Sequence, residues 1–499
     1  MDYSGHGSEI SVSHERVLSI QDFQEFTNTH LPLWITASCD IMPFDASSTN
    51  IGEQAVLNKK GGAVAFFGTT RTVYQYRNAY INQAYLKHVL SVKDGRRTTI
   101  GEAQRLAKNE LITTGQDLTT NKLQFSLLGD PALALNYPTM QVVIDSVNGM
   151  AVDNQADILV KAGAVVRVLG HVQNHEQVTD TTFDGQMTAT IRDSEEQIVC
   201  KGQADDTKAI FSYYDRQNVL FNGSDSVRRG AFDFTFAVPM DINYSDGKGL
   251  MNIYAVSNDH SKEAHGSYDD FTVGGTASTE NDSIGPSIYC YLNSPTFSNG
   301  GEVNSTPYFV AQITDKDGIN AAGTGIGHDL ELIIDDEMSR TYILNDHFTY
   351  DFGSYVSGST YYSIPELSEG RHRLRFRAWD ILNNSTTAEL SFQVVNGLKP
   401  TLRSISCTNN PATTSTTFII THDRMGSPID VELDIFDMSG RQLWKHTENS
   451  VSTDSAITID WDLTIDGGQR LQTGVYLYRV RIGCDGSSMV SKAKKIIII

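Results

Sequence analysis

The sequence predicts a multidomain chain of mixed class, an α/β segment followed by all-β segments, and three observations carry that prediction. Up to about residue 138, short apolar runs alternate with helix-period stretches, the pattern of a parallel sheet covered by helices. Beyond it the helical period gives way to β-branched alternation divided by Gly, Asn and Asp turns, as in Val165-Val166-Arg167-Val168 and Phe232-Asp233-Phe234-Thr235-Phe236, which reads as β-sandwich. Two breaks, a small and polar stretch over 274–286 and Asn396-Gly397-Leu398-Lys399-Pro400, cut that portion into three. The expected domains are 1–138 (α/β), 139–274 and 275–395 (β-sandwiches) and 396–499 (a small β-sandwich).

In chain order, Val17-Leu18-Ser19-Ile20 and Asp22-Phe23-Gln24-Glu25-Phe26 predict a short connection and a helical turn. Residues 31–37 predict a buried strand. An amphipathic helix is expected over 51–60, ended by Gly61-Gly62, the residue type that accepts the left-handed conformation beyond a helix C-terminus. The continuous apolar run Ala63-Val64-Ala65-Phe66-Phe67 reads as a strand buried on both faces. A helix is expected over 78–92. The next begins with Thr99 and Glu102 in capping-box spacing and carries the stripe Ile100, Ala103, Leu106, Ala107 and Leu111. In the β portion, Gln141-Val142-Val143-Ile144, Val431-Glu432-Leu433-Asp434-Ile435-Phe436 and Val475-Tyr476-Leu477-Tyr478-Arg479-Val480 predict strands, with turns at Ser439-Gly440 and Asp466-Gly467-Gly468.

Composition narrows the function. A chain of 499 residues with 39% hydrophobic content supports ordinary globular cores. Its net charge of −21 argues against a nucleic-acid backbone as the main partner. Five cysteines (Cys39, Cys200, Cys290, Cys407, Cys484) stand singly, which indicates neither a zinc site nor a dense disulfide framework. No apolar run approaches the roughly 20 residues of a membrane-spanning helix. Met1-Asp2-Tyr3 leads straight into Ser4-Gly5-His6-Gly7-Ser8 with no room for a delivering strand. The expectation is a truncated sequence, with a signal peptide and several strands of the first domain upstream.

Two stretches carry the chemistry, Ser4-Gly5-His6-Gly7-Ser8 and Leu33-Trp34-Ile35-Thr36-Ala37-Ser38-Cys39-Asp40. Each puts a reactive side chain after a short apolar run, so both emerge at one sheet edge if the strands are parallel neighbours. The Cys39 thiolate beside the His6 imidazole makes an acyl-transfer couple. Gly5 and Gly7 let the backbone turn beside His6, and the amides of Gly7 and Cys39 are placed to hold an oxyanion. On spacing alone, a buried structural Cys and a turn His fit equally well. Asp40 reads first as a turn residue, because a carboxylate beside a thiol raises its pKa and opposes activation. Arg71, Tyr74 and Tyr76 follow the third strand and are placed to line a pocket, against the competing reading of loop aromatics that cap a core. Asp315-Lys316-Asp317-Gly318 begins like a calcium loop, but its Gly falls fourth rather than sixth and no Glu stands twelfth, so it reads as a hairpin turn. His328-Asp329 and Trp379-Asp380 are assigned to structure. Neither a metal nor a cofactor is expected.

These strings resemble the gingipain family of cysteine peptidases, which has a caspase-like α/β fold. Further matches follow in order: Gly52-Glu53, Gly61-Gly62-Ala63-Val64-Ala65-Phe66-Phe67-Gly68 and Ser126-Leu127-Leu128-Gly129-Asp130-Pro131-Ala132. The resemblance covers about the first 138 residues, as the C-terminal part of a gingipain-like domain. It implies that His6 is general base and acid and Cys39 the nucleophile. Within that family the layout is most similar to the sortase of type IX secretion. Asn410-Pro411, Ile435-Phe436-Asp437-Met438-Ser439-Gly440-Arg441, Gly474-Val475-Tyr476-Leu477-Tyr478-Arg479 and Lys494-Lys495-Ile496-Ile497 resemble the C-terminal domain of type IX secretion proteins.

The resemblance implies a cell-surface endopeptidase and transpeptidase at the outer membrane, exported through a signal peptide. Its expected partners are cargo proteins with C-terminal secretion domains, anionic lipopolysaccharide as acceptor and an outer-membrane β-barrel. Lys492, Lys494 and Lys495 read as a solvated edge able to meet that polyanion. A third catalytic acid is implied upstream, so the chain by itself is expected to be inactive. Two alternatives stand beside this reading. One is a secreted degradative protease whose last domain is only an export signal; the other is a non-catalytic surface β-protein with a remnant peptidase domain.

Overall fold

Three short parallel strands that end at a common edge organise the first part of the chain. In the computed structural model, which describes residues 1–152, 157–200, 211–323, 325, 327–451 and 455–499, Asp2–Ser4 (β1) pairs with Leu33–Ala37 (β2) in the register Asp2↔Ile35, Ser4↔Ala37. Strand β2 pairs in turn with Ala65–Thr69 (β3) through Leu33↔Ala65 and Ile35↔Phe67. The sequence left no room for a strand before the Gly-His-Gly turn, yet three residues suffice. Edge pairing asks only for backbone donors and acceptors, and the Ile35 N–H donates to the Met1 carbonyl at 2.9 Å.

Four helices cover this sheet: Ile20–Glu25 (α1), Ile51–Leu57 (α2), Gln75–Val89 (α3) and Ile100–Thr113 (α4). Alternation along the strands separates two cores. Leu33, Ile35, Ala65 and Phe67 pack with Ile81 and Tyr85 of α3 and Ala103 and Leu111 of α4. Trp34 and Phe66 pack with Phe23 of α1 and Ile51 and Ala55 of α2. Aromatic stacking ties the first layer, with Phe67 and Tyr85 ring centres 3.8 Å apart.

The fourth strand, Phe125–Leu128 (β4), runs antiparallel to β3 (Thr69↔Phe125, Phe66↔Leu128) and departs from the all-parallel expectation. Two helices rather than one separate β3 from β4, so the chain re-enters at the edge where β3 ended. The bond from the Thr70 N–H to the Gln124 carbonyl at 2.9 Å lies there.

Helix ends follow local chemistry. Helix α2 starts with a capping box: the Asn50 side chain accepts from the Glu53 N–H at 3.0 Å, and the Glu53 carboxylate accepts from the Asn50 N–H at 3.2 Å. It stops at Leu57, short of the expected 60. Gly62, at φ +92°, passes so close to the Ala55 carbonyl that a Cβ would overlap it. Helix α3 begins three residues before the expected start. Thr99 caps α4 by accepting from the Glu102 N–H at 3.2 Å, but the Glu102 carboxylate binds Arg105 instead of closing the box.

Among the described residues, every α-helix lies within 20–113. The chain divides into two compact units, Met1–Val142 with Val172–Phe183 and Ala255–His265, and Val143–His171 with Asp184–Tyr254 and Gly266–Ile499. The second unit is built mostly of antiparallel ladders. Gly185–Arg192 pairs with Val219–Arg228, Tyr308–Thr314 lies between Ser287–Leu292 and Ser357–Ser363, and Gly370–Trp379 pairs with Ser385–Val394. Nearer the C-terminus, Pro428–Phe436 lies between Gln442–Val451 and Gly474–Cys484. Phe418, Leu433, Trp461 and Val480 are buried there in one core.

The Asp315-Lys316-Asp317-Gly318 segment is a turn in which the Asp317 N–H donates to the Asp315 carboxylate at 2.8 Å. His328 binds Asp241 at 2.6 Å, and its ring lies 4.3 Å from that of Trp379. All five cysteines are free thiols, and no described helix is long and apolar enough to cross a membrane.

Phe67 is fully buried and stacked on Tyr85. Phe67→Ala is expected to lower unfolding free energy by about 3–5 kcal/mol, read from urea denaturation, whereas truncating the exposed Leu57 changes it by no more than about 0.5 kcal/mol.

Candidate active site

The site follows from the register of β1 and β2. Ser4 stands opposite Ala37; His6 and Cys39 each lie two residues beyond these strand ends, so equal offset projects one onto the other. The Gly5 N–H donates to the Ala37 carbonyl at 3.3 Å and carries the ladder one step past β1. Alternation also sets the face. Cys39 packs on the Leu33 and Ile35 layer, opposite Trp34, and the projected pleat puts His6 on the face of Cys39.

The turn after β1 is tightly held. The His6 carbonyl accepts from the Tyr3 hydroxyl at 2.7 Å and from the Ser13 N–H at 2.9 Å, while the ring is exposed. At Gly7 the backbone approaches Ser38 so closely that a Cβ would overlap the Ser38 Oγ; no residue other than glycine fits without displacement. The flanking ladder uses the Ser8 N–H and the His6 carbonyl, which turns the Gly7 N–H away from Ser11 and Ser13. Among the described residues, neither the Gly7 nor the Cys39 N–H meets a protein acceptor, the condition an oxyanion-binding pair requires.

Cys39 is half-buried, and its Sγ lies 3.4 Å from the Val73 carbonyl. His6 opens onto a cleft of about 640 Å³ whose far wall includes His14, Glu15 and Arg16. Hydrogen bonds from its own amide and from Ser13 hold the Glu15 carboxyl below the usual range, and the charges of His14 and His6 add to this. A second cleft, of about 530 Å³, is lined by Ser8, Glu9, Asp40, Asp45 and Arg71. Arg71 therefore stands beside the Cys39 turn, with its guanidinium engaged by Asp45, 2.9 Å from Nη1 to Oδ1. Tyr74 and Tyr76 do not line that cleft. Both rings are largely exposed, and Arg77 stacks on Tyr76 with 4.9 Å to the ring centre.

Sequence reasoning missed Ser38, Thr69, Thr72 and Val73, which surround the nucleophile turn. The only signal was the run of hydroxyl residues Thr69-Thr70-Arg71-Thr72 after the apolar strand. Elsewhere, carboxylate oxygens of Asp282, Asp317 and Asp380 lie within 4.8 Å of one another. The Lys316 ammonium supplies the positive charge there, 3.1 Å from Asp282 and 2.9 Å from Asp317.

His6 and Cys39 thus stand just beyond the carboxyl ends of adjacent parallel strands. Residues 1–136 match the family model described as Peptidase family C25, the gingipain family. Among solved structures the chain is similar to dimeric latent PorU from Porphyromonas gingivalis, with 35% identity, 88% of this chain and 41% of that chain covered, and a TM-score of 0.40. It is also similar to the complex of the pro- and mature domains of RgpB from Porphyromonas gingivalis, with 16% identity, 55% and 53% covered and a TM-score of 0.26. The chain thus spans less than half the length of the PorU chain. No curated protein matches its sequence.

Gly7→Ala is expected to lower the unfolding free energy by about 1–3 kcal/mol in urea denaturation, because the turn bearing His6 must move off Ser38. Ser38→Gly in the same chain should restore part of that loss; no restoration would contradict the close approach as its cause.

Proposed function

We propose that the protein is a cysteine endopeptidase and transpeptidase acting as a type IX secretion sortase. Cys39 is the nucleophile, His6 the general base and acid, and the N–H groups of Gly7 and Cys39 hold the oxyanion. The observation that supports this chemistry is the β1–β2 register, beyond whose paired ends His6 and Cys39 lie at equal offsets.

The Cys39 thiol gives its proton to the His6 imidazole, and the thiolate attacks the carbonyl carbon of the scissile bond. Negative charge develops on the carbonyl oxygen, and the two amides stabilise it. Collapse breaks the C–N bond, the departing amine takes the proton from His6, and a thioester remains on Cys39. A second nucleophile attacks the thioester, loses its proton to His6 and frees the thiol. Water gives hydrolysis; an amine gives transpeptidation.

The choice of amine and the cargo come from the sequence resemblance. The C-terminal motifs of residues 410–497 support a place in type IX secretion. On this reading the enzyme removes C-terminal secretion domains from cargo at the outer-membrane surface and transfers the cargo to an amine on anionic lipopolysaccharide, held there by an outer-membrane β-barrel partner.

Cells whose only copy carries Cys39→Ala are expected to accumulate cargo with the C-terminal domain attached and with no lipopolysaccharide conjugate, read by mass spectrometry of surface fractions. Normal cargo maturation in those cells would sink the sortase reading. Bulk digestion of unrelated denatured proteins by the wild-type enzyme would favour a degradative protease.

A further inference from the structure

The turn that carries Cys39 is fastened to the segment after β3 on both sides of the sulfur. The Thr69 hydroxyl donates to the Ser38 carbonyl, and the Met42 N–H donates to the Thr69 carbonyl at 2.9 Å. The Asp40 N–H donates to the Arg71 carbonyl at 3.3 Å, and the Cys39 Sγ faces the Val73 carbonyl. Asp40 itself sits at φ +45°, a conformation sparsely populated by non-glycine residues and retained where surrounding bonds enforce it.

The Asp40 carboxylate is the charged group next to the nucleophile in sequence. Turned toward the sulfur, it would disfavour the thiolate. Instead, its Oδ2 accepts a hydrogen bond from the Thr72 hydroxyl at 2.7 Å. Its charge also acts on Arg71, which pairs with Asp45. The other charged group sharing that cleft is Glu9; His6 lines the separate cleft with His14, Glu15 and Arg16.

We propose that Thr72 is a positioning residue of the active site: its hydroxyl holds Asp40 so that the turn keeps Cys39 at the sheet edge and the carboxylate stays directed away from the thiol. Thr72 touches no reacting atom and acts through Asp40. The inference rests on the reading of Cys39 as nucleophile. It also commits the Asp40 side chain to the loop after β3.

The test is the rate at which iodoacetamide alkylates Cys39 across pH 5–9 in the intact protein, followed by mass spectrometry of the Cys39 peptide. In Thr72→Val, which keeps the shape and loses the donor, the midpoint of the profile is expected to rise by about half a unit or more. Thr72→Ser retains the wild-type profile. Asp40→Asn tolerates the left-handed backbone and lacks the charge, so it does not raise the midpoint, and adding it to Thr72→Val abolishes that variant's shift. A Thr72→Val profile that superimposes on wild type overturns the proposal, as does a shift that persists in the double variant. His6→Ala tests the underlying reading separately. If that change leaves the wild-type profile unaltered, the Cys–His couple fails, whatever the Thr72 variants show.

Discussion

The register between Asp2–Ser4 and Leu33–Ala37 is the constraint on which the rest of the site depends. Side chains alternate faces along a strand, so a slip of one residue would send His6 to the face opposite Cys39. On β1 such a slip is opposed by Tyr3, which packs on the layer of α1 and α2, and by Asp2, whose carboxylate accepts from the Asn82 amide of α3, while the cores on either side of β2 hold the facing of that strand. Leu33 and Ile35 are committed to the α3 and α4 layer, and Trp34 to the layer of α1 and α2. Burying those side chains in the wrong layer would forfeit on the order of 1.5–3 kcal/mol each. Core packing therefore fixes a geometry two residues beyond the strand end, where no core remains to hold it.

Past that end, polar and steric devices take over. Gly7 lets two turns meet at Ser38, and the Thr69 and Thr72 hydroxyls tie the nucleophile turn to the end of β3. Among the described residues, the same arrangement leaves the Gly7 and Cys39 amides free of protein acceptors. Rigid backbone with unspent donors suits a step in which charge appears and disappears on one oxygen. On the proposed mechanism, whether water or an amine resolves the thioester is decided by access to the edge and not by the Cys–His couple itself.

Much of this was legible in the sequence, for identifiable reasons. His6 and Cys39 stand out because each follows a short extended segment and is flanked by glycine or small residues. The covering helices follow from apolar period, and the β texture beyond residue 138 from alternation. What escaped is what depends on partners distant in sequence. Strand β1 is three residues long with no pattern of its own, and its identity comes from β2, some thirty residues later. The direction of β4 depends on how many helices precede it. Arg71 reads as a pocket-lining residue and does line a cleft, but the sequence does not show that its charge is engaged by Asp45, 26 residues earlier. Local chemistry is also ambiguous in the sequence where two partners compete: Glu102 binds Arg105 rather than the Thr99 backbone, whereas Glu53 closes a capping box with Asn50.

The central claim is geometric, that positions 6 and 39 face one another across the β1–β2 edge. Disulfides form when Cα atoms lie about 4.4–6.8 Å apart with side chains directed together. The most direct measurement is therefore mild oxidation of a His6→Cys chain, followed by peptide mapping under non-reducing conditions. The account predicts an intramolecular disulfide linking position 6 to Cys39 in most of the molecules. A free Cys39 after complete oxidation, or a bond from position 6 to any of the other four cysteines, would contradict it.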